Sequence, residues 1–263
     1  MNKQSLNSLF TGKVMIQLDE VDSTNTFAKE IITKTNPIEG TAIRADFQTH
    51  GRGQYGRIWH SDKAVNLMLS VIYKPKFLEI HRSFFLSILC SLALEQSLKL
   101  FLGVTHEIRI KWPNDIYVDG KKIAGILIEN TLKGQVIEYS ILGIGVNVNQ
   151  HLWSENEFTP TSIYELKKQE FDIISVMNAL LESLEKYYLD LKTGKFDQLL
   201  KQYNDLLFCK NESIEFTRDQ NGINEKGIID HVDEKGCLAL LTKSGLEKFC
   251  MHQIKWKLPH KKD

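Results

Sequence analysis

Residues 45–61, ADFQTHGRGQYGRIWHS, decide how the rest of the chain is read. Three glycines, Gly51, Gly53 and Gly56, and two arginines, Arg52 and Arg57, crowd into positions 51–57. Glycine lets a backbone turn where side chains forbid it and lets amide groups approach a bound group closely. Guanidinium groups suit carboxylate or phosphate. The run G-R-G-Q-Y-G has the G-x-G-x-x-G spacing of a dinucleotide fingerprint, but that site needs a helix N-terminus directly after the loop. The residues that follow, IWHSDKAVNLMLSVIY, supply none, because 65–73 is apolar, β-prone and bounded by turn residues. The stretch therefore reads as strand, loop, strand, and the dinucleotide reading is set aside.

The 33 basic residues balance 33 acidic ones across 263 residues, so no overall field draws the chain to nucleic acid or to an anionic membrane, and any anion site is local. The length allows one large domain with a small appendage. MNKQSLNSLF lacks the features of a signal peptide, and the apolar run FFLSILCSLAL at 84–94 is too short to span a bilayer. These features predict a soluble protein of the cytoplasm. Cys90, Cys209, Cys237 and Cys250 lack metal or redox spacing and read as reduced structural residues, and the eight histidines form no ligand pattern. His50 and His60 flank the loop and read as polar loop residues.

Outward from the loop, 13–18 alternates as a strand, Asp22-Ser23-Thr24-Asn25 offers cap-type residues before a helix to about Lys34, and 41–47 is a strand feeding the loop. His81–Leu102 is apolar nearly all round, as for a helix packed under a sheet. In IRIKWPNDIYVDGKKIAGILIEN, Asp119-Gly120 is a strong hairpin signal. A two-residue turn pairs Val118 with Lys121, Tyr117 with Lys122 and Asp115 with Ala124. Asp115 and Lys122 then share one face, roughly 8 Å apart. Along VIEYSILGIGVNVN, 136–149, Gly143, Gly145, Asn147 and Asn149 share one face and Ile144, Val146 and Val148 the other. Small residues there suit close approach by a ligand, or a bulge and tight packing. Helices are predicted at 172–191 and 196–208. Short strands follow, with turns at Asn221-Gly222, Lys235-Gly236 and Ser244-Gly245, as in a small β-barrel. From pattern alone the fold class is α+β.

Taken in order, DSTN at 22–25, the glycine loop, KWPND at 111–115, KKIAGILIE at 121–129, GIGVNVN at 143–149 and the C-terminal β-module resemble biotin protein ligase over nearly the whole chain. The resemblance implies a mixed α/β sheet with helices mainly on one face, a class II synthetase-like catalytic domain over 1–208, then an SH3-like β-barrel over 209–263. It implies joining of biotin to ATP with Mg²⁺, then transfer from biotinyl-adenylate to a lysine of a biotin carboxyl carrier protein. By the same resemblance Ser23, Thr24, Asn25 and Gln48 bind the biotin head with the backbone near Gly51. Arg52, Gly53 and Gln54 close over the carboxylate and the adenylate phosphate. Lys122 meets the reacting carbonyl, Asp115 is tied to Mg²⁺ and catalysis, and Lys111 meets phosphate. Asn114, Asn147, Arg57 and Trp59 fall beside the nucleotide. Trp59 reads equally as a flat ligand contact and as a buried structural residue. Outside that resemblance Lys122 reads as a solvated hairpin residue, Asp115 as a turn residue or cap, and Ser23 as an N-cap.

Two departures from the family pattern matter. Gln54 stands where many relatives carry arginine, which shifts phosphate neutralisation onto Arg52, Arg57, Lys111 and the metal and implies faster escape of biotinyl-adenylate. Only 21 residues precede DSTN, so the helix-turn-helix of the bifunctional repressors is not expected, nor is binding to DNA. The sequence leaves the oligomeric state open, a homodimer included. The rivals are a lipoate protein ligase of the same fold, separated by which acid drives ATP–pyrophosphate exchange, and a non-catalytic sensor of biotin or nucleotide, separated by turnover of an acceptor domain.

Overall fold

Apolar alternation and turn residues set down two sheets, and a computed structural model describes them over residues 6–153, 159–219 and 222–257. The elements run β1 (Met15–Leu18), α1 (Thr24–Lys34), β2 (Thr41–Ala45), β3 (Leu67–Tyr73), α2 (Phe84–Leu102), β4 (Ile108–Lys111), β5 (Asp115–Val118), β6 (Lys121–Lys133) and β7 (Val136–Val146). Then come α3 (Ile163–Lys167), α4 (Ile173–Lys192), α5 (Phe196–Asp205), β8 (Ser213–Arg218), β9 (Asn224–Val232), β10 (Leu238–Thr242), β11 (Gly245–Phe249) and β12 (Ile254–Lys257). The first seven strands form one mixed sheet in the order β1-β2-β3-β7-β6-β5-β4, in which only β1 and β2 run parallel.

The two faces of that sheet are covered differently. Alternate residues Leu69, Val71, Leu142, Ile144 and Val146 face a large apolar core shared with α2 and α4. Ile43, Ile72 and Ile141 face the other way, onto Ala28 of α1. The helices therefore lie mainly on one face, as expected. Together with a short 3-10 turn before it, α2 forms the segment Ile80–Leu102, which is long and apolar enough to cross a membrane. That is so by length and composition only, a test a core helix also passes, and the segment is mostly buried under the sheet.

The second sheet is antiparallel, in the order β11-β10-β9-β8-β12. Among the described residues its ladder stays open, with β11 and β12 at the edges, rather than closing as a barrel. Gly236 and Gly245 take positive φ at their predicted turns, as does Gly222, while Asn221 lies outside the described residues. The apolar core runs on into this sheet through Leu207, Ile214 and Phe216. Trp112 Nε1 donates to the Gly236 carbonyl at 2.9 Å, tying β4's end to the β9–β10 turn.

The expectation of four reduced cysteines is corrected here. Leu238 pairs with Phe249 at the end of the β10–β11 ladder, which brings Cys237 and Cys250 opposite one another, 4.1 Å apart at Cα and joined as a disulfide. Cys90 and Cys209 are free and buried.

Candidate active site

The glycine loop folds back on itself as a narrow ribbon. Trp59 N–H donates to the Gly51 carbonyl at 2.9 Å, and Gly53 N–H to the Arg57 carbonyl at 2.7 Å. A 3-10 turn at Gln54–Gly56 closes the end, with Tyr55 at φ 61 and Gly56 at φ 74. A left-handed pair of this kind strongly favours glycine at one position. The ribbon is tied to the sheet by Arg52, whose Nη1 and Nη2 donate to Glu129 of β6 at 3.2 and 3.1 Å. At its tip Tyr55 packs on His252 of the β11–β12 turn, ring centroids 3.9 Å apart.

Below the loop lies a polar network on the face that α1 shares. Gln48 Oε1 accepts from Thr24 N–H at 2.8 Å and from Thr24 Oγ1 at 3.1 Å. Ser70 Oγ, in the middle of β3, bonds both Thr24 Oγ1 and Asn25 Oδ1 at 2.7 Å. Asn25 Nδ2 donates to Glu129 Oε2 at 2.9 Å and to the Leu127 carbonyl at 3.2 Å. Ser23 is the N-cap of α1 by position, but its hydroxyl makes no capping bond.

The glycines of β7 are explained by protein side chains. A Cβ on Gly143 would meet Asn25 Oδ1 at 2.3 Å, and one on Gly145 would meet the Trp59 indole at 2.5 Å. Trp59 thus lies flat on the sheet, and its Nε1–H is buried with no acceptor among the described residues. Buried donors are usually paired, so this indole stands out among the residues that border the cleft.

The lysine and carboxylate of the hairpin meet closely. Lys122 Nζ lies 2.7 Å from Asp115 Oδ1, and both side chains are nearly buried, 11% and 13% exposed. The predicted register fails at one point. Val118 pairs with Lys121 and Tyr117 with Lys122, but Asp115 pairs with Gly125 rather than Ala124. The cause is a bulge, because residues 122 and 123 spend their backbone groups elsewhere. Lys122 N–H donates to the Thr159 carbonyl, Thr161 N–H to the Lys122 carbonyl, and Asn147 N–H to the Ile123 carbonyl, each at 2.9 Å. Two residues of β6 then oppose one of β5, and the strand bends. The lysine side chain spans the bulge and places its ammonium on the carboxylate.

Lys111 ends β4 beside this pair. Burial holds its ammonium below the usual lysine range, with Asp115 partly opposing that effect. Asn114 is occupied in structure, its Nδ2 donating to the Ile126 carbonyl at 2.8 Å. Asn147 Nδ2 donates to the Thr161 carbonyl at 3.0 Å. Asn149 bonds Phe171 N–H and C=O, away from the cleft.

All these elements enclose a cleft of about 770 Å³, within the range of small-molecule sites. Every expected site residue borders it except Gly51, which lines an adjoining cleft of about 830 Å³. The first cleft holds the Lys122–Asp115 pair and Lys111. Sequence reading missed Ser70, Glu129, His252 and Trp256. Ser70 carried a faint signal as the lone polar residue in LMLSVIY. His252 and Trp256 carried none.

Among the described residues no group of three His, Cys, Asp or Glu could hold a metal by itself. The carboxylate Asp115 fits the habit of Mg²⁺, which takes one or two protein carboxylates and otherwise uses substrate phosphates and water.

A sheet backed by helices, with a cation-lined cleft under a glycine loop, suits an enzyme that binds an anionic small molecule. In agreement, residues 18–147 match the biotin/lipoate A/B protein ligase family. The chain is 31% identical over 240 residues to the bifunctional ligase/repressor of Bacillus spizizenii, covering 90% of this chain and 72% of that protein. It is 28% identical over 232 residues to the biotin--[acetyl-CoA-carboxylase] ligase of Mycobacterium tuberculosis, covering 85% and 83%. The biotin protein ligase from Aquifex aeolicus, solved in complex with biotin and ATP, superposes with a TM-score of 0.79 at 28% identity over 94% of this chain and 99% of that one. The chain belongs to this ligase family, in its biotin protein ligase branch.

Proposed function

We infer that this protein is a biotin protein ligase that joins biotin to ATP and transfers the biotinyl group to a lysine of a biotin carrier protein, such as the carrier domain of acetyl-CoA carboxylase. The observation that carries the reading is the convergence of Lys111, Lys122 and Asp115 at one end of a cleft whose other end is the Gln48, Thr24 and Asn25 network. In the first step a biotin carboxylate oxygen attacks the α-phosphorus, and the bond to the β-phosphate oxygen breaks, releasing pyrophosphate. Two anions must approach, and fixed cations in a partly dry cleft lower that barrier. Lys122 and Lys111 supply them, with Arg52 and Arg57 from the loop.

In the second step a neutral lysine amine of the carrier attacks the biotinyl carbonyl, and AMP leaves. Ser23, Thr24, Asn25 and Gln48 orient the ureido head, and a pocket lined with hydrogen-bonding groups rejects acids that lack such a head. Asn147, Asn114 and Trp59 take the nucleotide side. Asp115 would hold Mg²⁺, which supplies charge neutralisation at the phosphates when bound. Residues 1–208 form the catalytic part and 209–263 an accessory module, and the enzyme works as a soluble protein in the cytoplasm.

The test incubates protein with ATP, Mg²⁺, labelled biotin or labelled lipoate, and a carrier domain. Covalent label from biotin alone supports the reading. Label from lipoate, or none from either acid, overturns it.

A further inference from the structure

Lys111 has an aromatic setting that KWPND does not announce. Its Nζ lies 4.8 Å from the ring centroid of Trp256 and 6.0 Å from that of Tyr117. The two rings come from different sheets. Tyr117 belongs to β5 of the large sheet, and Trp256 to β12, an edge strand of the second, where it pairs with Phe216. Phe208 stands between them, 5.2 Å from Tyr117 and 6.5 Å from Trp256 by ring centroids. The backbone fixes the same corner. Ile110 N–H donates to the Leu206 carbonyl and Phe208 N–H to the Ile110 carbonyl, at 2.8 and 2.9 Å, so the residue before Lys111 is clamped to the segment leading into the second sheet. Trp256 and Lys111 border the same cleft.

We propose that Trp256 is a positioning residue for adenylation, its ring steering the Lys111 ammonium into the cleft so that the second sheet takes part in the first half-reaction. This rests on the reading that Lys111 meets the phosphates of ATP. A lysine stem has many rotamers, and fixing one costs entropy that some contact must offset. A carboxylate could do so but would cancel the charge. An aromatic face attracts the ammonium through its quadrupole and leaves the full charge available to phosphate. The nearby carboxylate, Asp115, is shared with Lys122, which it meets at 2.7 Å, whereas the ring gives Lys111 a contact that cancels none of its charge. The burial that lowers the Lys111 ammonium makes such a contact more valuable, since the attraction grows as water is excluded.

The test uses the full chain in biotin-dependent ATP–pyrophosphate exchange, with Trp256→Leu and Trp256→Phe. Trp256→Leu keeps an apolar side chain and removes the ring, and it is expected to raise the KM for ATP about fivefold while the KM for biotin stays put. Trp256→Phe is expected to remain within about twofold of the unmodified enzyme. An unchanged KM for ATP in Trp256→Leu overturns the proposal. So does a parallel rise in both KM values, equal damage from Phe and Leu, or a lost preference for ATP over GTP, which would place the ring on the base. A second measurement needs no change at Trp256. In chain labelled with ¹³C-lysine, the Lys111 ε-methylene signal, assigned by its loss in Lys111→Arg, is expected upfield under the ring, and an unshifted signal overturns the proposal. Absence of any biotin-dependent exchange in the unmodified chain would instead sink the ligase reading itself.

Discussion

The two faces of β3 and β7 are built from the same strands and do opposite work. On one face Leu69, Val71, Ile144 and Val146 join the apolar core under α2 and α4. On the other, Ser70, Gly143 and Gly145 meet Thr24, Asn25 and Trp59. The first face tolerates any well-fitting apolar side chain, because its energy comes from area removed from water. The second has no such slack, since each group is fixed by a named partner. A buried strand can thus carry stability and specificity on alternate residues.

That division can be tested from both sides. Lys122→Gln keeps a donor for Asp115 and removes the charge, so exchange activity should drop on the order of 100-fold. Retained activity would show that the Lys122–Asp115 pair serves folding rather than chemistry. On the core face, Leu89→Ala in α2, at a fully buried position, should lower unfolding stability by about 3 kcal/mol in denaturant titration while kcat/KM stays constant. A parallel loss of activity would mean the faces are coupled.

Gly145→Ala places a methyl 2.5 Å from the Trp59 indole and must displace it. Overpacking of this kind should reduce kcat/KM for biotin-dependent exchange roughly tenfold. No change would show that the indole yields freely. Last, Gln54→Arg adds a cation at the cleft margin and should slow dissociation of biotinyl-adenylate about threefold, a surface-charge effect measured by release of labelled adenylate. An unchanged rate would return phosphate neutralisation wholly to the inner lysines.

Much of this was legible in the sequence where the cause is local. The strand–loop–strand reading of 45–73 needed only the missing helix after Arg57, and Asp119-Gly120 announced its hairpin. What escaped reading depends on partners far along the chain. The bulge at Lys122 and Ile123 exists because Thr159, Thr161 and Asn147 claim their backbone groups, which no two-residue turn reveals. The Cys237–Cys250 bond follows from the β10–β11 register, and Trp256 reaches Lys111 only because the second sheet docks on the first. For the glycines of β7 the sequence left a ligand and tight packing both open, and their nearest occupants are side chains of this same chain.

The cleft holds two ion pairs of unequal shelter. Arg52 and Glu129, which latch the loop, are 46% and 27% exposed, against 11% and 13% for Lys122 and Asp115. Mobile ions screen the first pair and scarcely reach the second. Ionic strength is therefore a selective handle on this enzyme, loosening the cover while leaving the reactive centre as it was.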